Sequence, residues 1–166
     1  YWAESQKIDI IILGGKDAWR ITELLIEKDI PVIFESVLST PKRRYEDYDQ
    51  PYKTPKILYE AGVKFCISNS TSSFETPHLR NLPYHAAMAA SFGLDSEEAI
   101  RSITLSTAEI LGVSDLVGSI EPEKDATLFI SDGDILDIRS NVEMAFINGK
   151  RVDMSDRHKM LYEKFN

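Results

Sequence analysis

Three short apolar runs constrain the fold of this chain more than any other feature: residues 8–13 (IDIIIL), 31–34 (PVIF) and 63–67 (VKFCI). Each is rich in β-branched residues and too short to be a buried helix. That combination predicts strands buried on both faces, the habit of parallel sheets. Helical patterns lie between them. Gly14 and Gly15 end the first run, and Asp17 is placed to cap a helix reaching about residue 29, with Ala18, Ile21, Leu24 and Leu25 at near-helical spacing. Thr54 and Pro55 read as the N-cap and first residue of a second helix, which Gly62 closes. Strand and helix therefore alternate over residues 8–67, the signature of an α/β fold with a parallel sheet and helical crossovers. The exception is a long polar connection over residues 35–53, with Pro41 and Pro51 in it. Long loops after strands are often functional in such folds.

The next section is helical. Residues 82–92, rich in Ala and Met, predict a helix that stops at Gly93. Asp95 with Glu98, and Ser106 with Glu109, form capping-box pairs for two short helices, the second closed by Gly112. Such a cap is worth about 1 kcal/mol over alanine, so the spacing predicts a break near residues 104–106. After that the period becomes extended. Residues 126–131 and 141–147 predict strands, and Asn148-Gly149 is a hairpin signal leading into residues 150–153. Ser155 is placed to cap a last helix over residues 156–165. There is no internal repeat and no low-complexity tract.

Composition narrows the functional classes. The chain is 43% hydrophobic and 28% charged, which predicts a globular protein. Its net charge of -8 argues against nucleic acid as the main partner, because phosphate backbones need a basic face. The basic cluster Lys42-Arg43-Arg44 is followed by Glu46, Asp47 and Asp49 and reads as a solvated loop, not a phosphate site. No apolar run approaches the roughly 20 residues of a membrane helix, and no signal-peptide pattern is visible. The expectation is a soluble protein with no membrane partner, in either the cytoplasm or the periplasm. Cys66 is the single cysteine, so no intrachain disulfide or cysteine zinc site forms. Inside an apolar run it reads as a small buried hydrophobe.

Metal motifs are missing. His78, His85 and His158 make no HxH or HExxH pair, and Pro83 argues against one helix carrying both His78 and His85. They read as packed or surface histidines, since ligand histidines come with convergent partners. Ser68, Ser70, Ser72, Ser73 and Thr71 crowd the end of the third run without a GxSxG elbow, which reads as a polar loop. Gly14-Gly15 lacks the phosphate-loop patterns and reads as a tight turn. Position is more telling. In a barrel, active-site groups lie at the carboxyl ends of the strands. Those ends are residues 14–16, 35–36 and 68–70, and they offer Lys16, Glu35, Ser68, Asn69 and Ser70. One carboxylate, one lysine, hydroxyls and an amide can bind a small polar ligand. They are a poor set for a divalent metal, which wants several histidines or carboxylates together.

Several segments resemble the amidohydrolase superfamily, closest to its imidazolonepropionase- and prolidase-like branch. They are Asp17-Ala18 after the glycine turn, Ala61-Gly62-Val63-Lys64, Arg80-Asn81-Leu82-Pro83, Gly93-Leu94 with Glu97-Glu98-Ala99, and residues 104–112. The most specific is Gly118-Ser119-Ile120-Glu121-Pro122 with Lys124-Asp125-Ala126, and Asn148-Gly149-Lys150 follows in a last hairpin. The resemblance implies the C-terminal portion of a (β/α)8 TIM-type barrel over residues 1–115, about three parallel strands with their helices. It implies strands of a small β-sandwich over residues 116–153 and a terminal helix over residues 154–166. It also implies a hydrolase of C–N bonds (amide, cyclic amide or peptide) using zinc or another divalent metal, held mainly by residues upstream of this chain.

Two family positions fall inside the chain. A metal-binding histidine is expected where Gly14 stands, or Leu13 if the register slips by one. A catalytic aspartate is expected where Ser70 or Asn69 stands. Neither serine nor asparagine carries the negative charge that helps form a metal hydroxide. The resemblance therefore implies a hydrolase scaffold whose in-chain catalytic positions are replaced, with no metal site of its own and no activity alone. Arg80 and Asn81 join the candidate ligand-binding residues. The other reading is a noncatalytic small-ligand-binding or assembly module. Open sheet edges further predict pairing with the upstream part of the same protein, or self-association.

Overall fold

The structure, a computed structural model, describes residues 2–35, 37–69, 73 and 76–166. Ser70 and its neighbours Thr71 and Ser72, like Ser36, lie outside the described residues. Two three-stranded sheets organise the fold. The first is parallel, in the order β1 (Ile12–Gly14), β2 (Val32–Glu35), β3 (Phe65–Ser68). Register sets Gly14 beside Phe34, Phe34 beside Ile67, and Glu35 beside Ser68. Side chains alternate across such a sheet. Val32, Phe34, Phe65 and Ile67 bury in one cluster with Leu25, Leu58, Ala86 and Ala89 from the helices. Each large apolar side chain buried this way is worth about 1.5–3 kcal/mol. The alternate residues point the other way. That face is bare at β1, where Leu13 is 56% exposed, and closed at β3, where Cys66 is 1% exposed. Cys66 is thus the buried hydrophobe its surroundings suggest; burial pushes its thiol pKa up, opposed by the Thr107 hydroxyl.

The helices are α1 (Trp2–Gln6), α2 (Thr22–Glu27), α3 (Gln50–Ala61), α4 (Leu82–Ser91), α5 (Ser96–Ser102), α6 (Leu105–Ile110) and α7 (Arg157–Phe165), with 3-10 turns at Ala18–Arg20 and Thr76–Asn81. Helix α3 ends where expected: Gly62 sits at φ 82, and the N–H groups of Gly62 and Val63 donate to the carbonyls of Tyr59 and Leu58. Helix α5 starts on Asp95, whose carboxylate accepts from the N–H groups of Glu97 and Glu98 at 2.9 and 3.3 Å. The break between α5 and α6 falls at Ile103 and Thr104. The Tyr52 and Phe92 rings, 5.0 Å apart, pack α3 against the end of α4. Among the described residues no helix is long and apolar enough to cross a membrane.

Four local expectations need correction. The first strand begins at Ile12, not Ile8, and is not buried on both faces. Pro31 has no N–H to donate upstream of the Ile12–Pro31 hydrogen bond, so residues 8–11 find no ladder. Helix α3 begins at Gln50, with Pro51 in its first turn and Thr54 and Pro55 buried inside it. Pro55 forfeits one helical bond, and the Thr54 hydroxyl folds back onto the Gln50 carbonyl at 2.8 Å. Helix α6 begins at Leu105, so Ser106 lies within it. Helix α7 is capped by Asp156, not Ser155; its carboxylate accepts from His158 N–H at 2.7 Å and Lys159 N–H at 3.0 Å, while the Ser155 hydroxyl donates to Asp153.

The second sheet is an antiparallel meander of β4 (Leu128–Ser131), β5 (Val142–Ile147) and β6 (Lys150–Arg151). Asn148 and Gly149 turn between β5 and β6 with φ 49 and 73, as a type I′ hairpin requires. Pairing of Leu128 with Phe146 and Ile130 with Met144 gives one apolar face. Phe129, Ala145 and Ile147 give the other, with Phe129 47% and Ile147 61% exposed. The link from α6 to this sheet passes through Gly118 at φ 103. A Cβ there would lie 2.8 Å from the Ala108 Cβ and 3.0 Å from the Leu105 Cα.

Candidate functional site at the strand carboxyl ends

The parallel sheet brings part of the candidate set together. Gly14, Glu35 and Ser68 are the last residues of the three strands; Glu35 pairs with Ser68, Gly14 pairs one residue earlier with Phe34, and Asn69 follows Ser68 directly. Gly14 has φ 96, and a Cβ built there would lie 3.8 Å from the Glu35 Oε2. A side chain at position 14 would thus face Glu35, but the backbone conformation disfavours any residue except glycine. Glu35 is partly exposed at the end of β2. The Ser68 hydroxyl donates to the Asn69 carbonyl at 3.0 Å. Asn69 is 3% exposed, and its Nδ2 donates to the His78 carbonyl at 2.9 Å. That bond fixes the Thr76–Asn81 turn against the end of β3. Its Oδ1 is buried with no hydrogen-bond partner among the described residues.

The remaining candidates are less tightly grouped. Lys16 is exposed beyond the glycine turn, and Arg80 is exposed on the Thr76–Asn81 turn. Asn81, half-buried, precedes α4 without a side-chain capping bond. Ser70 lies outside the described residues.

The structure adds a charged network that sequence reading missed. Arg43, in the connection after β2, grips Asp17, in the turn after β1, through two bonds of 2.6 and 3.0 Å. Its guanidinium also donates to Glu46 at 2.6 Å. The second Glu46 oxygen accepts from the N–H groups of Lys42 and Arg43. Arg20 reaches Glu46 at 3.4 Å and stacks over the Trp19 ring, 4.7 Å from its centre. Hydrogen bonding from Arg43 holds Asp17 and Glu46 below the usual carboxylate range, and the same carboxylates push the guanidinium up. Two earlier expectations change. Asp17 does not cap a helix: with its carboxylate committed to Arg43, the backbone beyond it forms a 3-10 turn and only then α2. The Lys42-Arg43-Arg44 loop is pinned through Arg43 rather than simply solvated. The available signal was topological. Loops after neighbouring parallel strands lie side by side, so opposite charges in them can meet.

A concavity of ≈ 1240 Å³ lies elsewhere. It opens at the amino-terminal ends of the strands, lined by Ile8, Ile11, Pro31, Tyr59, Lys64 and Arg101. Several of its charges are paired at the surface, Lys64 with Asp29, Arg101 with Glu109 and Lys28 with Glu27. Parallel α/β sheets place their chemistry at the opposite end, so the smaller carboxyl end is the better candidate. Its donor set does not suit a divalent metal. Glycine replaces one potential ligand, Asn69 offers a neutral amide, and Glu35 is the lone carboxylate at the strand tips. Among the described residues no three His, Cys, Asp or Glu side chains converge.

Residues 54–152 match the amidohydrolase family. An amidohydrolase from Thermotoga maritima MSB8 is 32% identical, with a TM-score of 0.77 over 91% of this chain and 38% of that structure. A prolidase solved with N-methylphosphonate-L-proline is 20% identical, with a TM-score of 0.65 over 87% of this chain and 40% of its own. A Xaa-Pro dipeptidase with methionine in its active site is 23% identical, with a TM-score of 0.65 over 88% and 40%. These last two likenesses show the fold alone. None of the curated proteins compared matches the chain. The chain spans about two-fifths of the length of each solved structure. The match over more than half its residues, with the 32% identical structure, makes this chain a member of the amidohydrolase family.

Proposed function

We propose that this chain is the closing portion of an amidohydrolase-type scaffold for C–N bond hydrolysis, and that its own share of the site is structural and ligand-binding, not catalytic. The observation that carries this is the set of groups at the strand tips. Gly14 stands at the family's histidine position, and Asn69 or Ser70 at its aspartate position. Water activation on a metal needs an anionic or imidazole donor set and a base. The chain supplies only Glu35 there. The similar structures solved with N-methylphosphonate-L-proline and with methionine bound make a small amide or dipeptide the substrate class to test.

On this reading the three parallel strands belong to a (β/α)8 barrel over residues 1–115. The antiparallel sheet belongs to a small β-sandwich over residues 116–153, and residues 154–166 form a terminal helix. The zinc or other divalent metal of the family would be held by residues outside this chain. The outer edges of β1 and β3, with exposed Ile8, Ile11 and Leu13, then pair with the upstream part of the same protein or with a second copy.

Metal analysis combined with assays on Xaa-Pro dipeptides and cyclic amides tests the proposal. Substoichiometric metal and no turnover are expected. Near-stoichiometric zinc accompanied by hydrolysis sinks it. Light scattering tests the pairing: a monodisperse monomer contradicts self-association. A second reading, a noncatalytic small-ligand-binding or assembly module, draws support from the buried Asn69 Oδ1, an acceptor without a partner among the described residues. Thermal-shift screening against polar metabolites separates it, since uniform absence of stabilisation counts against a ligand.

A further inference from the structure

A small recess lies between the turn after β1 and the connection after β2, and its lining includes Trp19, Phe34 and Pro41 together with Lys16, Lys42 and the hydroxyl-bearing Thr40. Asp17 and Glu46 also line it. Their charges are taken up by Arg43 and Arg20, which are hydrogen-bonded to them. The ammonium groups of Lys16 and Lys42 are left with no ion-pair partner among the described residues. The lining thus carries two lysines and two carboxylates, and the carboxylates are paired with Arg43 and Arg20, which lie outside the lining. Two unpaired ammonium groups beside already compensated carboxylates attract anions, and apolar walls reduce screening of a group seated there.

Size limits what can enter. The recess measures ≈ 20 Å³, against the roughly 10–15 Å³ that a single water occupies on this measure. It accommodates one or two oxygen atoms, and the body of the ligand must remain outside.

We propose that this recess binds the oxyanion head group of a small molecule, a carboxylate or a phosphate, between Lys16 and Lys42. The proposal rests on reading the strand carboxyl ends as a ligand site. The Asp17–Arg43 pair holds the two loops together and so positions the lysines.

The test is titration of the full chain in the presence of a chelator with sodium acetate and, separately, inorganic phosphate, at constant ionic strength set by chloride. Binding is followed by calorimetry and by the Trp19 indole resonance. Saturable binding is expected. Lys16→Gln and Lys42→Gln each weaken it about five- to tenfold, the effect of one partly exposed charge-assisted bond. Lys16→Arg stays within about twofold of the parent, because it keeps the charge. Lys64→Gln, at the other end of the sheet, leaves binding unchanged. The ratio of acetate to phosphate affinity decides which head group is preferred. Failure of both anions to saturate overturns the proposal. So does equal binding in the parent, Lys16→Gln and Lys42→Gln, or equal weakening by Lys64→Gln. The measurement uses no turnover, so hydrolysis by the protein would refute the noncatalytic reading and leave this result standing.

Discussion

The two sheets differ in what holds them. Every buried side chain among the described residues lies between Ala18 and Ala108; from Glu109 to the C-terminus none is buried. The parallel sheet has one face packed on helices in a core of Phe34, Leu25, Leu58 and Ile67, and its other face is closed at β3, where Cys66 is buried beside Thr107 of α6. The antiparallel sheet has its hydrogen-bond ladder, its hairpin and apolar residues on both faces, but among the described residues no helix or second sheet packs broadly against either. Its strands carry the composition of a buried element in an uncovered setting. Local chemistry is enough to form a ladder and a turn. Burial needs a partner.

The largest effect that could break this contrast is a core truncation on each side. Phe34→Ala should cost about 3–5 kcal/mol, the range for a fully buried aromatic. Phe129→Ala, at a 47% exposed position, should cost less than about 1 kcal/mol. Chemical denaturation of the two variants measures the difference. Equal losses would show that the second sheet is buried in solution by something it contacts there.

Glycine substitution sharpens the contrast at the junction. Gly118→Ala should cost about 2–4 kcal/mol, combining a disfavoured backbone with overpacking, because the new methyl meets Ala108 and the Leu105 backbone. Gly149→Ala, at φ 73 in open space, should cost about 1 kcal/mol. Thermal melts of both check the ranking. A mild Gly118→Ala would mean that the link does not pack on α6.

What was legible in the sequence follows the same division. The β2 and β3 runs, the Gly62 and Asp95 caps and the Asn148-Gly149 turn depend on neighbours within a few residues, and each is where its local signal places it. The start of β1 depended on Pro31, a residue of another strand. Thr54-Pro55 imitated a helix start because the Asp49–Pro51 start, just upstream, carries similar signals. Within the site, the strand tips could be located from alternation alone. The Asp17–Arg43 pair could not, since it joins residues 26 apart through the order of strands in the sheet.

That pair gives a pH-dependent prediction, smaller than either core effect. Arg43 holds Asp17 and Glu46 below their ordinary values of 3.8 and 4.5. Their contribution to stability is complete above those unfolded-state values and disappears as pH falls through the lower native ones. Arg43→Gln should therefore lower the melting temperature at pH 7, and the gap to the parent should close in acid. Melting both proteins across that range checks it. A gap that persists unchanged in acid would mean that Arg43 acts through packing and not through charge.

The smallest expected effect comes from the end of the chain. Helix α7 exposes Met160, Tyr162 and Phe165, the last at 75%. Its Asp156 cap satisfies the first backbone donors without any help from the rest of the fold. A short helix held only by its own hydrogen bonds is marginal in water, so removing it should take little from the folded state. Truncation after Ser155 should change unfolding free energy by no more than about 0.5 kcal/mol, the scale of a surface change. Denaturation at two protein concentrations decides the matter. A loss above about 1 kcal/mol that grows with concentration would place α7 in a contact between copies, and the uncovered sheet, with its two apolar faces, would be the surface to examine first.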